Sequence, residues 1–301
     1  MHTHDHHSHH HHNHIVTPNR AFIFGIILNL GYVITEVIFG IANHSMALLT
    51  DAGHNLGDVA GLAISLLAFR MAKVKSSDAY TYGYKKTTIL AALLNAVILL
   101  IAIGIIGYES IVRLQDPTPV PGGTIAWVAA IGIVINGISA LLFFRDKDHE
   151  LNSKGAYMHM LVDAMVSLGV VISGIVILYT HWYWLDAAVS ILVLLIILKG
   201  TWSLMMDSFR LSMDGVPTNV DINQVTLAAG KVKGVKDFHH VHIWAMSTTE
   251  NALTAHLVVE NNLDNAELTS VKNNLKHQLQ HLNINHITLE TEFVDDDCKP
   301  C

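Results

Sequence analysis

Two pairs of side chains in this sequence could ligate a metal ion, and both pairs lie in apolar segments with the same spacing. His54 and Asp58 are four residues apart, and His159 and Asp163 repeat that spacing later in the chain. On an α-helix, residues four apart lie on one face, about 6 Å from each other. Two imidazoles and two carboxylates from two helices can therefore close a tetrahedral metal site.

Zn²⁺ suits this set of donors, because it binds histidine nitrogen and carboxylate oxygen at about 2.0–2.2 Å. Mg²⁺ and Ca²⁺ prefer oxygen ligands and Cu(I) prefers sulfur, while Co²⁺, Cd²⁺, Fe²⁺ and Mn²⁺ stay open as alternatives. A lone histidine would more simply hydrogen-bond a neighbouring helix, but two matched pairs favour a metal. Since histidine binds metal only when neutral, metal and protons compete for such a site, which is the chemical basis of antiport.

The composition is that of an integral membrane protein. The chain has 301 residues, of which 51% are hydrophobic and 14% charged, and its mean hydropathy is +0.40. Soluble domains carry about 25% charged residues. Six apolar segments are near the ~20 residues that a spanning helix needs, and we predict transmembrane helices at about 21–42, 46–71, 88–112, 123–144, 156–179 and 183–205.

Basic residues are distributed unevenly between the connecting loops. They gather in and near the loops after the second and fourth segments, whereas the loops after the first and fifth contain none; the basic positions are Arg70, Lys73, Lys75, Lys85, Lys86, Arg145, Lys147 and Lys154. The positive-inside rule then places both termini in the cytoplasm. No cleavable signal or organelle address is visible, so we expect a multi-pass protein of a bacterial inner membrane.

Other polar residues also occur inside the apolar segments, where they are costly and usually functional. Asp51 precedes His54 by three residues and is either a carboxylate next to the metal site or a cap at the start of its helix. Glu36, in the first segment, is a candidate for a proton relay. Several glycines are expected to allow close contact between helices, among them Gly57, Gly61, Gly169 and Gly174.

From about Asp214 the chain becomes a polar domain with a net charge of −6, since residues 213–301 hold 12 acidic and 6 basic residues. This acidity argues against nucleic acid as a partner. Periodicity predicts two helices and three strands in the order αββαβ, at Val220–Val232, Val235–Met246, Ala252–Glu260, Ala266–Leu282 and Ile284–Val294, with Asn219 as the cap of the first helix. Such a short domain has a small core, so dimerisation is expected to stabilise it.

Both ends of the chain carry further metal-binding residue types. Residues 1–14 contain nine histidines, a tract that cannot form a core and is either a native metal-gathering tail or an expression tag; the interruptions by Asp5, Ser8 and Asn13 favour a native tail. Cys298 and Cys301 are the two cysteines of the chain. Their C-x-x-C spacing fits a thiolate pair for a metal, a redox pair or an accident of the tail.

Three motifs together resemble the cation diffusion facilitator family, in its zinc-transporting branch. They are SMALLTDAGHNLGD at 45–58, YTYGYKKTTILAALLNA at 80–96 and HHVHIWAM at 239–246, supported by the second H-x-x-x-D pair. The resemblance covers residues 15–295. It implies six membrane helices, a cytoplasmic metallochaperone-like domain, a homodimer, and metal efflux coupled to proton influx. It also implies that the transport site consists of His54, Asp58, His159 and Asp163.

The predicted strands of the C-terminal domain carry enough donors for one or two cytoplasmic zinc ions, and the resemblance supports metal binding there. Our candidate ligands are His239, His256 and Glu292, followed by His242 and His286. Period-two alternation places Glu290 and Glu292 on one face with His286. By contrast, we expect His240, His277 and His281 to face solvent.

We therefore predict an α-helical membrane protein with an α+β cytoplasmic domain that exports Zn²⁺ in exchange for H⁺. The predicted divisions are a disordered histidine-rich tail at 1–20, a six-helix domain at 21–212, a metal-binding and dimerisation domain at 213–295 and a CxxC tail at 296–301. Two alternatives are a membrane-embedded zinc enzyme and a metal sensor that does not transport. An enzyme is disfavoured, because four protein ligands leave no open position and no H-E-x-x-H motif occurs.

Overall fold

The computed structural model of the protein describes residues 20–144, 151–261 and 263–294, with the side chains at 20–26, 62, 142–144, 151–156 and 159 left out. The predicted histidine-rich tail at 1–14 and the pair Cys298 and Cys301 lie outside the described residues, as does the side chain of His159.

Long helices form each of the apolar segments that the sequence predicts. They are α1 (Arg20–Ala42), α2 (Met46–Ala72), α3 (Thr87–Gln115), α4 (Gly122–Phe144), α5 (Leu151–Thr180) and α6 (Trp184–Ser212). Within the described part of the chain, five of them, α2 to α6, are long and apolar enough to cross a membrane. The described apolar stretch of α1, Ile27–Ala42, is shorter.

The chain divides into two compact units, with the boundary inside α2. Among the residues that the structure describes, those within 1–55 and 117–189 form the first unit, and those within 56–116 and 190–301 form the second. In the first unit α4 packs along α5, and α1 contacts α4. Its apolar core joins Leu48 of α2 to Ile125 and Val128 of α4 and to Val170 and Ile177 of α5.

Helices α4 and α5 approach so closely that Gly122 of α4 and Gly174 of α5 leave no room for a Cβ atom. A Cβ atom on Gly174 would lie 2.7 Å from the backbone nitrogen of Ala126 and 2.7 Å from the backbone oxygen of Gly122. These are backbone atoms, which cannot move aside as a flexible side chain can. By contrast, a Cβ atom on Gly169 would meet nothing within 4 Å. Gly174 therefore serves helix packing, as predicted, whereas Gly169 has no such contact.

The C-terminal part of the second unit has the predicted order αββαβ. Its elements are α7 (Ile222–Gly230), β1 (Val235–Ala245), β2 (Asn251–Val259), α8 (Asn265–Gln280) and β3 (His286–Phe293). The sheet has the order β1-β2-β3, in which β1 runs antiparallel and β3 parallel to β2. The parallel pairing requires a crossover, which α8 supplies.

Side-chain caps set the starts of both helices in this domain. Asp221 accepts a hydrogen bond from the Asn223 backbone N–H at 2.9 Å, so the cap of α7 is Asp221 and the prediction of Asn219 was wrong. Helix α8 begins with a capping box, in which Asp264 and Glu267 accept each other's backbone N–H groups. One face of α8 is apolar and is buried against the sheet, in a core that includes Val271, Leu275, Leu279, Val225, Leu253 and Leu257.

The segment at the start of α3 contacts the C-terminal domain within the second unit. Two ion pairs and one backbone hydrogen bond form this junction: Lys85 Nζ–Glu250 Oε2 at 2.5 Å, Lys86 Nζ–Asp214 Oδ1 at 2.6 Å, and Thr248 N–H to Thr88 Oγ1 at 3.1 Å. Lys85 and Lys86 are among the basic residues from which a cytoplasmic loop was predicted. Their partners, Glu250 and Asp214, are two of the acidic residues that make the C-terminal domain negatively charged.

We predict opposite effects of alanine at Gly174 and Gly169. Gly174→Ala forces α4 and α5 apart, and overpacking of this kind costs about 1–3 kcal/mol. Gly169→Ala adds only helix propensity, which stabilises by up to about 1 kcal/mol. Thermal unfolding of the two variants in detergent, followed by intrinsic fluorescence, should show a lower midpoint for Gly174→Ala than for wild type and no decrease for Gly169→Ala. Equal midpoints in the two variants would contradict the close α4–α5 contact.

Candidate metal centres

Helix α2, which carries His54 and Asp58, is capped by a carboxylate from another part of the chain. Asp186 Oδ2 accepts hydrogen bonds from the backbone N–H of Met46 at 2.5 Å and of Ala47 at 3.4 Å, and Asp186 Oδ1 accepts one from the Ser45 hydroxyl at 2.6 Å. The first N–H groups of a helix have no partner within it, and a negative charge is favourable there. Asp186 therefore anchors the start of α2, a role that the local sequence pattern does not reveal.

One of the two interpretations of Asp51 was that it caps the start of α2. Asp186, not Asp51, is this cap. Asp51 lies inside α2 and is fully buried, where it accepts a hydrogen bond from Ser167 of α5 at 3.1 Å. Its environment is that of the alternative interpretation, a buried carboxylate close to the predicted metal ligands.

The structure brings one residue of each predicted pair together within the first unit. His54 Nε2 of α2 lies 3.3 Å from Asp163 Oδ1 of α5, with the Asp163 carboxylate completely buried and the His54 side chain 17% exposed. Along α2 itself, Asp58 follows His54 by one turn, and ligand atoms of these two side chains lie within 4.8 Å of each other. His159 lies one turn before Asp163 on α5.

A second group of donors lies on the sheet of the C-terminal domain. His239 of β1 is paired with His256 of β2, which is next to Glu290 of β3. His256 Nδ1 is 2.5 Å from Glu292 Oε1, and His256 Nε2 is 3.5 Å from Glu290 Oε2. His239 Nε2 is 3.5 Å from Glu292 Oε2, so Glu292 lies between the two imidazoles. Three candidate ligands, His239, His256 and Glu292, are thereby brought together.

His240 joins this group, although we expected it to face solvent. Strand β1 has a bulge here. His239 and His242 are three residues apart, but they pair with His256 and Thr254, which are two residues apart. His240 lies in this bulge and has a φ of 49°. Such a bulge breaks the alternation of side chains between the two faces of the sheet. Its ring lies 4.9 Å from that of His239 and 4.8 Å from that of His256. Ligand nitrogens of all three histidines lie within 4.8 Å of one another.

The other two candidate ligands lie elsewhere on the sheet. His242 is exposed on β1 opposite Thr254. His286 is exposed at the start of β3, where its ring contacts the edge of Tyr82 at a centroid distance of 5.5 Å. The structure does not bring either one to the group formed by His239, His240, His256 and Glu292, which we call the sheet cluster.

The apolar helices contain imidazole and carboxylate donors, and the small C-terminal domain adds further donors. These features are those of a membrane protein that binds or transports metal cations. The chain matches the transmembrane domain of cation efflux proteins over residues 22–211 and their cytoplasmic domain over residues 217–293. It belongs to the cation diffusion facilitator family, in the zinc-transporting branch. The proteins of this family are metal cation efflux transporters, and the chain is a transporter rather than an enzyme.

Relatives from several bacteria support this assignment. The chain is 34% identical over 276 residues to the cadmium, cobalt and zinc/H(+)-K(+) antiporter of Bacillus subtilis, covering 91% of this chain and 88% of the relative. It is 36% identical over 294 residues to the metal cation efflux system protein CzcD of Cupriavidus metallidurans, covering 97% and 90%. It is 32% identical over 302 residues to the zinc transporter ZitB of Escherichia coli, covering 100% and 93%.

We predict that Asp186→Ala lowers stability by releasing the start of α2. Loss of a helix cap costs about 0.5–2 kcal/mol, and here the hydroxyl of Ser45 also loses its acceptor. Asp207→Ala, on the exposed side of α6, is the matched control and should leave the unfolding midpoint unchanged. Thermal unfolding in detergent measures both, and an unchanged midpoint for Asp186→Ala would show that the cap does not contribute.

Proposed function

We propose that this protein exports Zn²⁺ from the cytoplasm in exchange for H⁺, through one site between helices α2 and α5. The observation that carries the proposal is the contact between His54 and Asp163 inside apolar helices, with their ligand atoms 3.3 Å apart. A buried carboxylate in such surroundings requires a cation or a proton as its partner. The relatives described above are named as zinc transporters or as antiporters that include zinc.

The proposed ligands are His54, Asp58, His159 and Asp163, each pair one turn apart on its helix. Two nitrogens and two oxygens satisfy the tetrahedral preference of Zn²⁺, and two carboxylates offset its charge. Without metal, protons have to supply the balancing charge, because carboxylates in an apolar interior need a cation or a proton as partner. Zinc displaces those protons when it binds, and protons displace zinc on the opposite side, so that the two cations move in exchange.

The proposed topology has six membrane helices over residues 21–212, with α1 as the first span and both termini in the cytoplasm. The basic residues beside α2 and α3 support this orientation by the positive-inside rule. Bacterial relatives make an inner membrane the expected location. We further propose a homodimer held in part by the domain at 213–295, whose small core gains from a partner.

The sheet cluster is the proposed cytoplasmic zinc site. His239, His240 and His256 supply three nitrogens and Glu292 supplies a carboxylate, a set that matches the donors Zn²⁺ prefers. Because β1 and β2 hold these side chains on hydrogen-bonded strands, the site is largely preformed. Zinc bound here would report the cytoplasmic concentration of the metal and regulate transport. His242 and His286 are left out of this proposal, because they lie apart from the cluster.

The two ends of the chain also contain residue types that bind metal, and we include them in the proposal on their composition alone. The nine histidines of residues 1–14 would raise the local concentration of metal near the cytoplasmic entrance. Cys298 and Cys301 would add two thiolates to a cytoplasmic zinc site, since Zn²⁺ binds such pairs strongly.

We predict that Asp163→Ala abolishes zinc transport. The change removes one of the four proposed ligands and one of the two charges that offset Zn²⁺, so we expect zinc affinity at the site to fall on the order of 10²-fold, equivalent to ~2.7 kcal/mol. Zinc uptake into proteoliposomes under a pH gradient measures the effect. Asp207→Ala, an exposed carboxylate on α6, should transport like wild type.

Two results would contradict this proposal. Undiminished flux in Asp163→Ala would mean that the transport site lies elsewhere in the chain. Tight zinc binding without gradient-dependent flux in the wild type would identify the protein as a sensor.

We predict that His240→Ala weakens cytoplasmic zinc binding and that His242→Ala does not. The two residues are two positions apart on β1, but only His240 lies in the sheet cluster. Loss of one imidazole ligand should reduce zinc affinity by about tenfold, equivalent to ~1.4 kcal/mol. Calorimetric zinc titration of the full chain carrying Asp163→Ala isolates this site from the transport site. Equal affinities in the two histidine variants would exclude His240 as a ligand.

A further inference from the structure

A second pair of carboxyl groups is buried in the first unit, and the transport site described above does not use it. Glu36 of α1 and Asp51 of α2 are each 0% exposed. They come from different helices, so the fold rather than local sequence places them together. Buried acidic groups of this kind are rare unless they have a partner.

The two carboxyl groups are neighbours and share one donor. The side-chain amide nitrogen of Asn55 donates to Glu36 Oε2 at 3.3 Å and to Asp51 Oδ1 at 3.4 Å. The hydroxyl of Ser167 donates to Asp51 Oδ2 at 3.1 Å. Among the described residues, neither carboxyl group forms an ion pair with lysine or arginine. The donors present are therefore neutral, and they cannot balance two negative charges.

Polar atoms beside the pair have unused hydrogen-bonding capacity. The hydroxyl of Tyr32 is directed toward Glu36 and is 1% exposed, and its position against α4 depends on Gly132, where a Cβ atom would lie 2.1 Å from that oxygen. Among the described residues, neither the Tyr32 hydroxyl nor Glu36 Oε1 has a hydrogen bond of normal geometry. Tyr32 is therefore a further neutral neighbour of the pair, and it adds no positive charge to it.

The ionisable groups around the pair are few. Tyr32 lies on α1, His54 follows Asp51 by one turn on α2, and Asp163 is the nearby carboxylate of α5. Helix α4, which packs against α1, contains no ionisable residue. The pair therefore lies in the electrostatic field of the proposed metal site, with no permanent positive charge of the protein between them.

We propose that Glu36 and Asp51 hold one proton between them and form the site from which the exchanged proton leaves. Two carboxylates that share one amide donor in an apolar interior cannot both ionise readily, so one proton converts their repulsion into a hydrogen bond. This proposal rests on the proposed exchange of Zn²⁺ for H⁺ and names residues that would carry H⁺.

The charge of the metal provides the coupling between the two sites. When a divalent cation occupies the site that includes His54 and Asp163, its positive charge stabilises the ionised form of the neighbouring pair, and the proton leaves. When the metal departs, the pair takes up a proton again from the side to which it is open. No covalent bond other than the O–H bond changes, and each cycle returns the pair to its starting state.

Infrared spectroscopy of the full chain in lipid tests the proton directly. At neutral pH the wild type should show the C=O absorption of a protonated carboxyl group, and addition of Zn²⁺ should reduce it. The near-isosteric variants Glu36→Gln and Asp51→Asn should each lose this absorption. Glu109→Gln, whose carboxylate pairs with Arg113 on α3, is the control and should retain it. An absorption that persists in both Glu36→Gln and Asp51→Asn overturns the proposal.

Transport measurements then test the role of the proton. In proteoliposomes, Glu36→Gln should keep the exchange of external zinc for internal zinc, which needs no proton, and should lose the acceleration by a pH gradient. Acceleration equal to that of the wild type overturns the assignment of Glu36. Wild-type vesicles without any zinc flux would instead refute the proposed function, while the infrared result would still decide whether the pair holds a proton.

Discussion

The structure depends on the cost of placing charge among apolar helices. Asp163, Asp51 and Glu36 are all fully buried, and an ionised carboxylate in such surroundings is unstable without a cation. Among the described residues, His54 lies beside Asp163, whereas Asp51 and Glu36 receive hydrogen bonds from the neutral side chains of Asn55 and Ser167. The helices are thus built around a deficit of positive charge. Under the proposed exchange, a divalent metal would remove that deficit at one site, and a proton would remove it at the other.

Such a site functions only if its ligands are held at fixed distances, and the first unit provides two means of doing so. Asp186 anchors the first turn of α2 through three hydrogen bonds, and His54 lies two turns further along the same helix. Gly174 lets α4 reach the backbone of α5, the helix that carries Asp163. Because interiors pack densely and deform little, a displacement at either position is transmitted to the distance between His54 and Asp163.

Much of this arrangement could be predicted from sequence, because it follows from short-range periodicity. The spacing of His54 to Asp58 and of His159 to Asp163 reflects the helical repeat, and the αββαβ order reflects turns and alternation. The role of Asp186 could not be predicted, since its partners Ser45 and Met46 are distant in sequence. His240 was placed on the wrong face, because regular alternation holds for a strand without a bulge. The pairing of Glu36 with Asp51 depends on which helices meet, and local sequence does not encode that information.

Strand β2 joins the sheet cluster to the membrane helices by a short and stiff path. His256 lies in the cluster, and the turn before β2 contains Glu250, which pairs with Lys85 at the start of α3; the neighbouring Thr248 contacts Thr88. A paired β-strand resists bending, so any shift of β2 caused by the proposed metal binding at His256 would reach Glu250. The partly exposed ion pair alone contributes little stability, but the backbone hydrogen bond from Thr248 fixes its geometry. The contact is therefore suited to transmit position more than to add stability, which is what the proposed regulation by metal at the sheet cluster would require.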